Sequence, residues 1–265
     1  MTASFSRIRI SSLFLILVVA FGPARELAHA QEEPDASGLR ALAVDDLFAL
    51  QRVGSPVVSP EGDWVAYTVT STSLKDEKST TRLWMVAAGG GDPVPMTREG
   101  ESVGSPAWSP DGRYLSFTAS RGEKARSQVW VLDRRGGEAW PITAVEQGIS
   151  SYEWSPDGSK LALLIRDPEP KDSTRKANAP QDPWVVDRLQ FKRDNQGYLT
   201  GDRHTHLYVQ DVPTGGRGAP VGDEAGPSGA LRQLTHGRWD ESSPAWSPDG
   251  RHIAFVSNRT EEPDG

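Results

Sequence analysis

The chain has 265 residues, of which 36% are hydrophobic, and this is enough for a globular core. It contains no cysteine, so thiol catalysis, thiolate metal sites and disulfides are excluded. A formal net charge of −7 argues against a nucleic-acid partner held by a general basic field. Nine Trp, 26 Gly and 20 Pro are typical of many short strands joined by tight turns.

Residues 1–30 have the pattern of a secretory signal peptide. Arg7 and Arg9 precede an apolar run at residues 13–21, and residues 28–30, Ala-His-Ala, form a small-x-small cleavage site. The run is shorter than the roughly 20 apolar residues that span a bilayer. We therefore predict cleavage rather than a retained anchor, no stable membrane span afterwards, and export to a bacterial periplasm or beyond.

A short helix is predicted at residues 44–50, after a polar lead-in that starts at Gln31. Asp45 and Asp46 suit the first turn of that helix, where the helix dipole favours negative charge. Lead-in and helix together occupy residues 31–53.

A short motif then recurs four times and sets the period of the chain. Its second copy reads Ser-Pro-Ala-Trp-Ser-Pro-Asp-Gly. The second Pro presets φ for a tight turn, Asp tolerates the next position, and Gly closes the turn. Alternating apolar and polar residues follow, as in residues 114–118, so each copy predicts a β-hairpin. The copies span residues 55–62, 105–112, 151–158 and 243–250.

Two further elements follow each hairpin. An apolar strand comes first, at residues 83–86, 129–132 and 207–210. A short element then ends in Thr97, Thr143 or Thr235, each placed 12 residues before the turn serine of the next copy. Four strands in about 40–50 residues, rich in Trp, are typical of a β-propeller blade. We predict an all-β fold, a partial β-propeller with TolB/WD-like hairpins at residues 54–265.

The predicted propeller contains about three blades and the start of a fourth. The third blade is longer than the others, with insertions near residues 167–203 and 213–230. The first insertion contains an apolar run at 184–191, a possible extra strand, before a turn at 194–197. Long insertions from a rigid scaffold are often functional, so we expect partner contacts there.

The fourth unit reaches Gly265 after its hairpin and before any counterpart of the strand at residues 83–86. A blade cut in mid-sheet leaves an open edge and uncovered apolar surface. We therefore expect the chain to be a fragment of a longer protein, with marginal stability and a tendency to aggregate when isolated.

Several stretches resemble prolyl-oligopeptidase-family serine peptidases, particularly the acylaminoacyl-peptidase and dipeptidyl-aminopeptidase branch. They are residues 46–53 (Asp-Leu-Phe-Ala-Leu-Gln-Arg-Val) leading into 58–67, residues 184–198, and residues 244–259. The resemblance covers about residues 40–265. The hairpin motif alone is less specific, because TolB-like periplasmic propellers share it.

The resemblance implies a propeller that caps a C-terminal α/β-hydrolase domain, restricts entry to peptides and supplies part of their binding surface. Catalysis in the family uses a Ser on a nucleophile elbow, with Asp and His. No Gly-x-Ser-x-Gly occurs in this chain, and the nearest string, around Ser228, lacks the spacing. The resemblance thus implies peptide substrates and a hydrolase domain in the same parent chain, with no catalytic residue and no cofactor here. The alternative is a non-catalytic, TolB-like periplasmic scaffold that binds proteins.

His204 and His206 would place two imidazoles on one face of a strand, as in a zinc pair. Zinc sites need three or four ligands, and no third is evident, so we assign no metal. The preferred interpretation is an exposed edge of the Leu207 strand.

Three other residue sets have structural interpretations. The acidic turn residue holds one fixed place in every copy, so turn chemistry explains it better than catalysis; the set is Glu61, Asp111, Asp157 and Asp249. The Trp before the turn is expected to pack between strands or blades rather than to stack on a ligand; the set is Trp108, Trp154 and Trp246. A solvated charged strand is preferred over a peptide-carboxylate site for Arg188, Lys192 and Arg193. No binding residue is assigned.

Overall fold

The computed structural model describes residues 41–122, 126–168, 203–212 and 229–259, and the backbone of residues 192–193 and 197–198. The elements lie in a compact unit that spans Ala43–Gly265. Within these described ranges, no helix has the length and apolarity needed to cross a membrane. In chain order the elements are α1 (Val44–Ala49), β1 (Arg52–Val58), β2 (Trp64–Ser73), β3 (Lys78–Ala87), β4 (Val94–Pro95), β5 (Val103–Trp108), β6 (Tyr114–Ala119), β7 (Gln128–Asp133), β8 (Trp140–Pro141), β9 (Ser151–Trp154), β10 (Lys160–Arg166), β11 (Lys192–Arg193), β12 (Gly197–Tyr198), β13 (Thr205–Asp211), β14 (Leu231–Gln233), β15 (Glu241–Trp246) and β16 (Ile253–Ser257).

The strands form antiparallel sheets that follow one another along the chain. Sheet 1 contains β1–β4, sheet 2 contains β5–β8, sheet 3 contains β9, β10, β13 and β14, and sheet 4 contains β15 and β16. A separate short pair joins β11 to β12. The prediction of an all-β fold built from four-stranded units is confirmed.

The α1 helix covers most of the predicted helical stretch. Asp46 Oδ2 accepts a hydrogen bond from the Ala43 backbone N–H at 2.8 Å. An acidic side chain therefore satisfies a donor that the start of a helix leaves without a backbone partner.

The four predicted hairpins are all present, and one serine organises each turn. In the second copy Ser109 O accepts from Gly112 N at 2.8 Å, and Ser109 Oγ accepts from Tyr114 N at 2.9 Å. Gly112 has φ 66°, a backbone conformation that glycine adopts without a steric penalty. The same two bonds recur at Ser59, Ser155 and Ser247.

The first Ser-Pro of the motif forms a β-bulge, which the turn chemistry does not predict. The strand pairing shifts at this point in sheets 1, 2 and 4. The serine before each Pro has a φ of 50°, 47° or 49°; these residues are Ser55, Ser105 and Ser243. A bulge accommodates Pro because Pro has no N–H for the ladder. In the third copy Tyr152 replaces the Pro, and β9 pairs with β10 without a shift.

Each apolar core lies between two neighbouring sheets. The first joins Leu83 and Met85 of sheet 1 to Leu115 and Phe117 of sheet 2. The second joins sheets 2 and 3, and the third packs Leu207 of sheet 3 against partly buried residues of sheet 4. The sheets therefore stack face to face, as propeller blades do. We call sheets 1–4 blades 1–4 from here on.

The segments predicted as insertions leave and rejoin blade 3. The β10 and β13 strands pair along their whole lengths, from Lys160 opposite Asp211 to Arg166 opposite Thr205. The β13 strand then pairs with β14. The predicted extra strand at residues 184–191 lies outside the described residues, and the predicted turn at 194–197 is flanked by β11 and β12.

Candidate functional site

The antiparallel strand order separates the loops of the blades onto two faces. The β1–β2 turn and the β3–β4 loop, with their equivalents in later blades, lie at one end of the strands, which we call the turn face. The β2–β3 loop and the connection from β4 to β5, with their equivalents, lie at the other end, which we call the loop face. The long insertion between β10 and β13 starts from the loop face, so the candidate site is described there.

His206 is buried at the loop-face end of β13, with only 3% of its surface exposed. The prediction of an exposed strand edge is wrong, because β13 lies between β10 and β14 inside blade 3. His206 Nδ1 lies 3.1 Å from Glu241 Oε2, on the first strand of blade 4. The Glu241 side chain is fully buried. A buried imidazole and a buried carboxylate therefore join two blades.

Glu241 has further polar partners, as a buried carboxylate requires. Its Oε2 accepts a hydrogen bond from Thr235 Oγ1 at 3.0 Å. Its Oε1 lies 3.4 Å from both Ser257 Oγ and Arg259 Nη2. Arg259 is half exposed, whereas the Glu241 carboxylate that it approaches is fully buried.

Asp167, directly after β10, faces His206 from the opposite side. His206 Nε2 lies 3.6 Å from Asp167 Oδ2, an ion-pair distance when the ring is protonated. The same Oδ2 accepts from His204 N at 3.1 Å, and Asp167 N donates to His204 O at 2.8 Å. These bonds hold together the two points where the insertion leaves and rejoins blade 3. We call His206, Glu241, Asp167, Thr235 and Arg259 the His206 cluster.

The His206 cluster contains an acid, an imidazole and a hydroxyl, the groups of a hydrolytic triad, but not in a catalytic arrangement. In a triad the hydroxyl gives its proton to the imidazole. Here the Thr235 hydroxyl donates to Glu241 and accepts from Leu207 N at 2.9 Å, so its proton is already committed to a carboxylate. The geometry of the His206 cluster therefore indicates a structural role and not a catalytic one.

The two histidines do not converge on a common point. The His204 and His206 ring centroids are 6.5 Å apart and the rings are tilted by 51°. Both nitrogens of His206 face carboxylates instead of His204. Across the ranges that the structure describes, no three His, Cys, Asp or Glu side chains are placed to hold a metal ion.

The His206 cluster is a variant of a bond set found in blade 2. Gln128 takes the equivalent place in blade 2, where its Oε1 accepts from Thr143 Oγ1 at 2.7 Å and from Val145 N at 3.0 Å. In blade 3 the acceptor for the threonine hydroxyl is Glu241, which belongs to the next blade. A bond within one blade has thus become a bond between two blades. The sequence signal is Glu241 itself, because the same repeat position holds Val103 in blade 2.

A pocket of about 420 Å³ opens on the loop face of blade 2. The Arg121 guanidinium lies 4.2 Å from the Trp130 ring centroid, and its Nη2 lies 2.8 Å from Glu101 Oε2. Arg126 and Glu146 also line it. Both signs of charge meet there, so the pocket selects no class of ligand by charge alone.

The acidic turn residues serve the turns, as predicted. Asp157 Oδ1 accepts from Ser155 Oγ at 2.6 Å and from Ser159 N at 3.0 Å, while Oδ2 accepts from Ser159 Oγ at 2.7 Å. These bonds favour the carboxylate and lower the pKa of Asp157 from 3.8 to about 2. Asp111 and Asp249 make the equivalent serine and backbone bonds. Glu61 has a longer side chain and pairs with Arg134.

The three predicted Trp residues link consecutive blades. Trp108 Nε1 donates to Val57 O of blade 1 at 3.1 Å, and Trp154 Nε1 donates to Ser116 Oγ of blade 2 at 2.9 Å. Trp246 Nε1 reaches Glu153 O of blade 3 at 3.4 Å. The prediction of packing between blades is confirmed.

Comparison with known proteins identifies a peptidase relative and solved structures that share the fold. No family model matches the chain. An uncharacterized peptidase of Bacillus subtilis, YuxL, is 30% identical over 227 residues, which cover 85% of this chain and 32% of the relative. The chain is similar in sequence to this peptidase over most of its own length. It spans about a third of the length of the curated relative that it matches.

Solved structures of acylaminoacyl peptidases share the fold. The Pyrococcus horikoshii acylaminoacyl peptidase aligns with a TM-score of 0.55 and 20% identity, over 79% of this chain and 28% of that chain. An acylaminoacyl peptidase in complex with Z-Gly-Gly-Phe-chloromethyl ketone aligns with a TM-score of 0.53, also at 20% identity over 79% of this chain and 28% of that chain. The resemblance to this family predicted from the sequence is confirmed.

The remaining candidate residues lie outside the described side chains. Arg188 and Ser228 fall in undescribed ranges, and Lys192 and Arg193 are described only as the backbone of β11. Their suggested roles stay predictions.

Proposed function

We propose that this chain is the substrate-gating propeller portion of an exported serine peptidase that hydrolyses peptides. The observation that carries the proposal is the peptidase relative, of which the chain matches 32% at 30% identity. The other two thirds of such a protein leave room for a catalytic α/β-hydrolase domain, the partner implied by the family resemblance. Peptides are the proposed substrates, consistent with the peptidyl chloromethyl ketone held by one structural neighbour.

The geometry supports a gating role rather than a catalytic one. The blades pack on one another through apolar cores, and the long insertion is anchored at its base by the bonds between Asp167 and His204. A loop that screens substrates needs a fixed base of this kind, because binding residues commonly lie on loops that a rigid scaffold holds in position. The Thr235 hydroxyl, bonded to Glu241, offers no nucleophile.

The proposed organisation has three parts. Residues 1–30 are a signal peptide that directs export, residues 31–53 are a lead-in with a short helix, and residues 54–265 are an incomplete propeller. The expected location is the periplasm or the outside of a bacterial cell, with no nucleic-acid partner.

Fluorophosphonate labelling of the full-length gene product tests this function. A labelled serine outside residues 1–265 is expected, with loss of labelling after heat denaturation. Residues 31–265 alone should remain unlabelled and should not hydrolyse peptides. A folded full-length product that takes up no label would contradict the proposal and favour the non-catalytic, TolB-like scaffold.

A further inference from the structure

We infer that His206 is a proton-dependent lock between blade 3 and blade 4. Its two ring nitrogens face two carboxylates, Glu241 at 3.1 Å and Asp167 at 3.6 Å. Glu241 belongs to blade 4, and Asp167 marks the point where the long insertion leaves blade 3. One buried imidazole, 3% exposed, therefore connects the insertion base to the next blade.

The number of protons on the ring decides how many of these contacts are favourable. An imidazolium donates from both nitrogens and faces both carboxylates with a positive charge. A neutral ring donates from one nitrogen only, so its other nitrogen turns a lone pair toward a carboxylate oxygen. Loss of the proton thus converts one attractive contact into a repulsive one, in either tautomer.

Other charged groups around His206 do not duplicate this role. Arg259 approaches Glu241 Oε1, whereas His206 approaches Oε2. The arginine therefore does not replace His206 as the partner of Oε2. Asp240 Oδ1 accepts from Thr205 N, and the His236 ring is 6.5 Å from the His206 ring. Among the described residues, the titratable and charged groups around His206 and its partners are Asp167, Arg203, His204, Tyr208, His236, Asp240, Glu241 and Arg259.

The joint between blades 2 and 3 shows what such a joint looks like without this lock. Its equivalent pair is Gln128 of blade 2 and Ile149 of blade 3, neither of which titrates. Gln128 bonds Thr143 and Val145, and Ile149 packs in the apolar core between blades 2 and 3. The joint between blades 3 and 4 therefore holds a titratable pair where the joint between blades 2 and 3 holds an amide and an aliphatic side chain.

Amide hydrogen exchange of the full chain at pH 5 and pH 8, normalised for intrinsic rates, tests the lock. Protection of residues 203–212 and 241–257 should fall by about tenfold at pH 8, the change expected for loss of one charge-assisted hydrogen bond. Protection of residues 103–119 should change little. Equal protection of the blade 3–4 joint at both pH values would overturn the inference.

Four variants assign the effect to His206. His206→Gln should abolish the pH dependence, because its amide cannot titrate, while His236→Gln and His252→Gln should retain it. The double variant His206→Gln with Glu241→Val places an amide and an aliphatic side chain at this joint, as at the joint between blades 2 and 3, and leaves no buried charge. It carries the test if the single variant does not fold. A tenfold change that persists in the folded His206→Gln or double variant would rule the lock out.

Discussion

Three serines of the repeat, each before a proline, adopt the left-handed backbone region, where a side chain other than glycine is uncommon. Ser105 has φ 47° at its bulge, while Ser151 holds the same repeat position in a regular strand. The missing Pro in the third copy explains this difference, because Tyr152 keeps an N–H for the ladder whereas a Pro inside a strand is accommodated at a bulge. The first serine of the motif therefore adopts two backbone conformations, left-handed at a bulge before Pro and extended in a regular strand.

Ser105→Val should destabilise the protein by about 1–3 kcal/mol, because a β-branched side chain is strained at positive φ. The matched control, Ser151→Val, should change the free energy of unfolding by less than about 0.5 kcal/mol, since Val suits a regular strand. Urea unfolding at neutral pH measures both values. Equal losses in the two variants would contradict the assignment of the bulge.

For individual residues, the sequence predicts turn residues better than it predicts polar pairs between residues far apart in the chain. The Asp of each turn acts within two or three residues, so local chemistry identifies it. His206 and Glu241 are 35 residues apart, and only the stacking of blade 4 on blade 3 brings them into contact. A strand-edge interpretation of His206 followed from its neighbours in sequence, which carry no information about that stacking.

Between elements, the joint of two blades combines apolar packing with one indole hydrogen bond. Trp108 is 8% exposed and donates to Val57 O at 3.1 Å. In blade 1 the equivalent residue is Val58, which is 62% exposed, since no described strand covers that side. The same repeat position is thus buried between two blades at Trp108 and exposed to solvent at Val58, on the end of the described stack.

Trp108→Phe keeps an aromatic ring and removes the indole N–H. Loss of the hydrogen bond should lower the free energy of unfolding by about 0.5–1.5 kcal/mol. The smaller ring should lower it a little further. Trp108→Ala should cost about 3–5 kcal/mol, the range for removing a large buried aromatic side chain. Val58→Ala, at the open position, should cost less than about 0.5 kcal/mol. Thermal and urea unfolding measure the series, and a Val58→Ala loss as large as that of Trp108→Phe would contradict the role of the joint.

The element order was predictable because hairpin, strand and threonine recur at fixed steps. Those steps follow from strand length and turn type, which are local properties. The threonine hydroxyl bonds the third strand of its own blade: Thr97 and Thr143 accept from Leu83 N and Val129 N at 3.1 and 2.9 Å, 14 residues apart in both blades. The insertion has no repeat to compare with, so its local pattern predicted only a possible strand.

For the whole molecule, both ends of the described stack present apolar side chains to solvent. Val58 on blade 1 and Val256 on blade 4 are 62% and 61% exposed. On β16 the neighbours Ile253 and Phe255 pack against blade 3, so Val256 points away from it. Exposed apolar faces of this kind promote association unless another surface covers them.

Residues 31–265 are therefore expected to self-associate at micromolar concentration, measured by sedimentation velocity. The double variant Val58→Lys with Val256→Lys should shift the distribution toward monomer while the thermal midpoint stays nearly constant, because both side chains are already solvated. Lysine at Val131, 4% exposed, is the contrasting control and should unfold the chain, since a charge would enter the core between blades 2 and 3. A wild-type chain that stays monomeric, or a double variant that associates as strongly, would show that the end faces do not drive association.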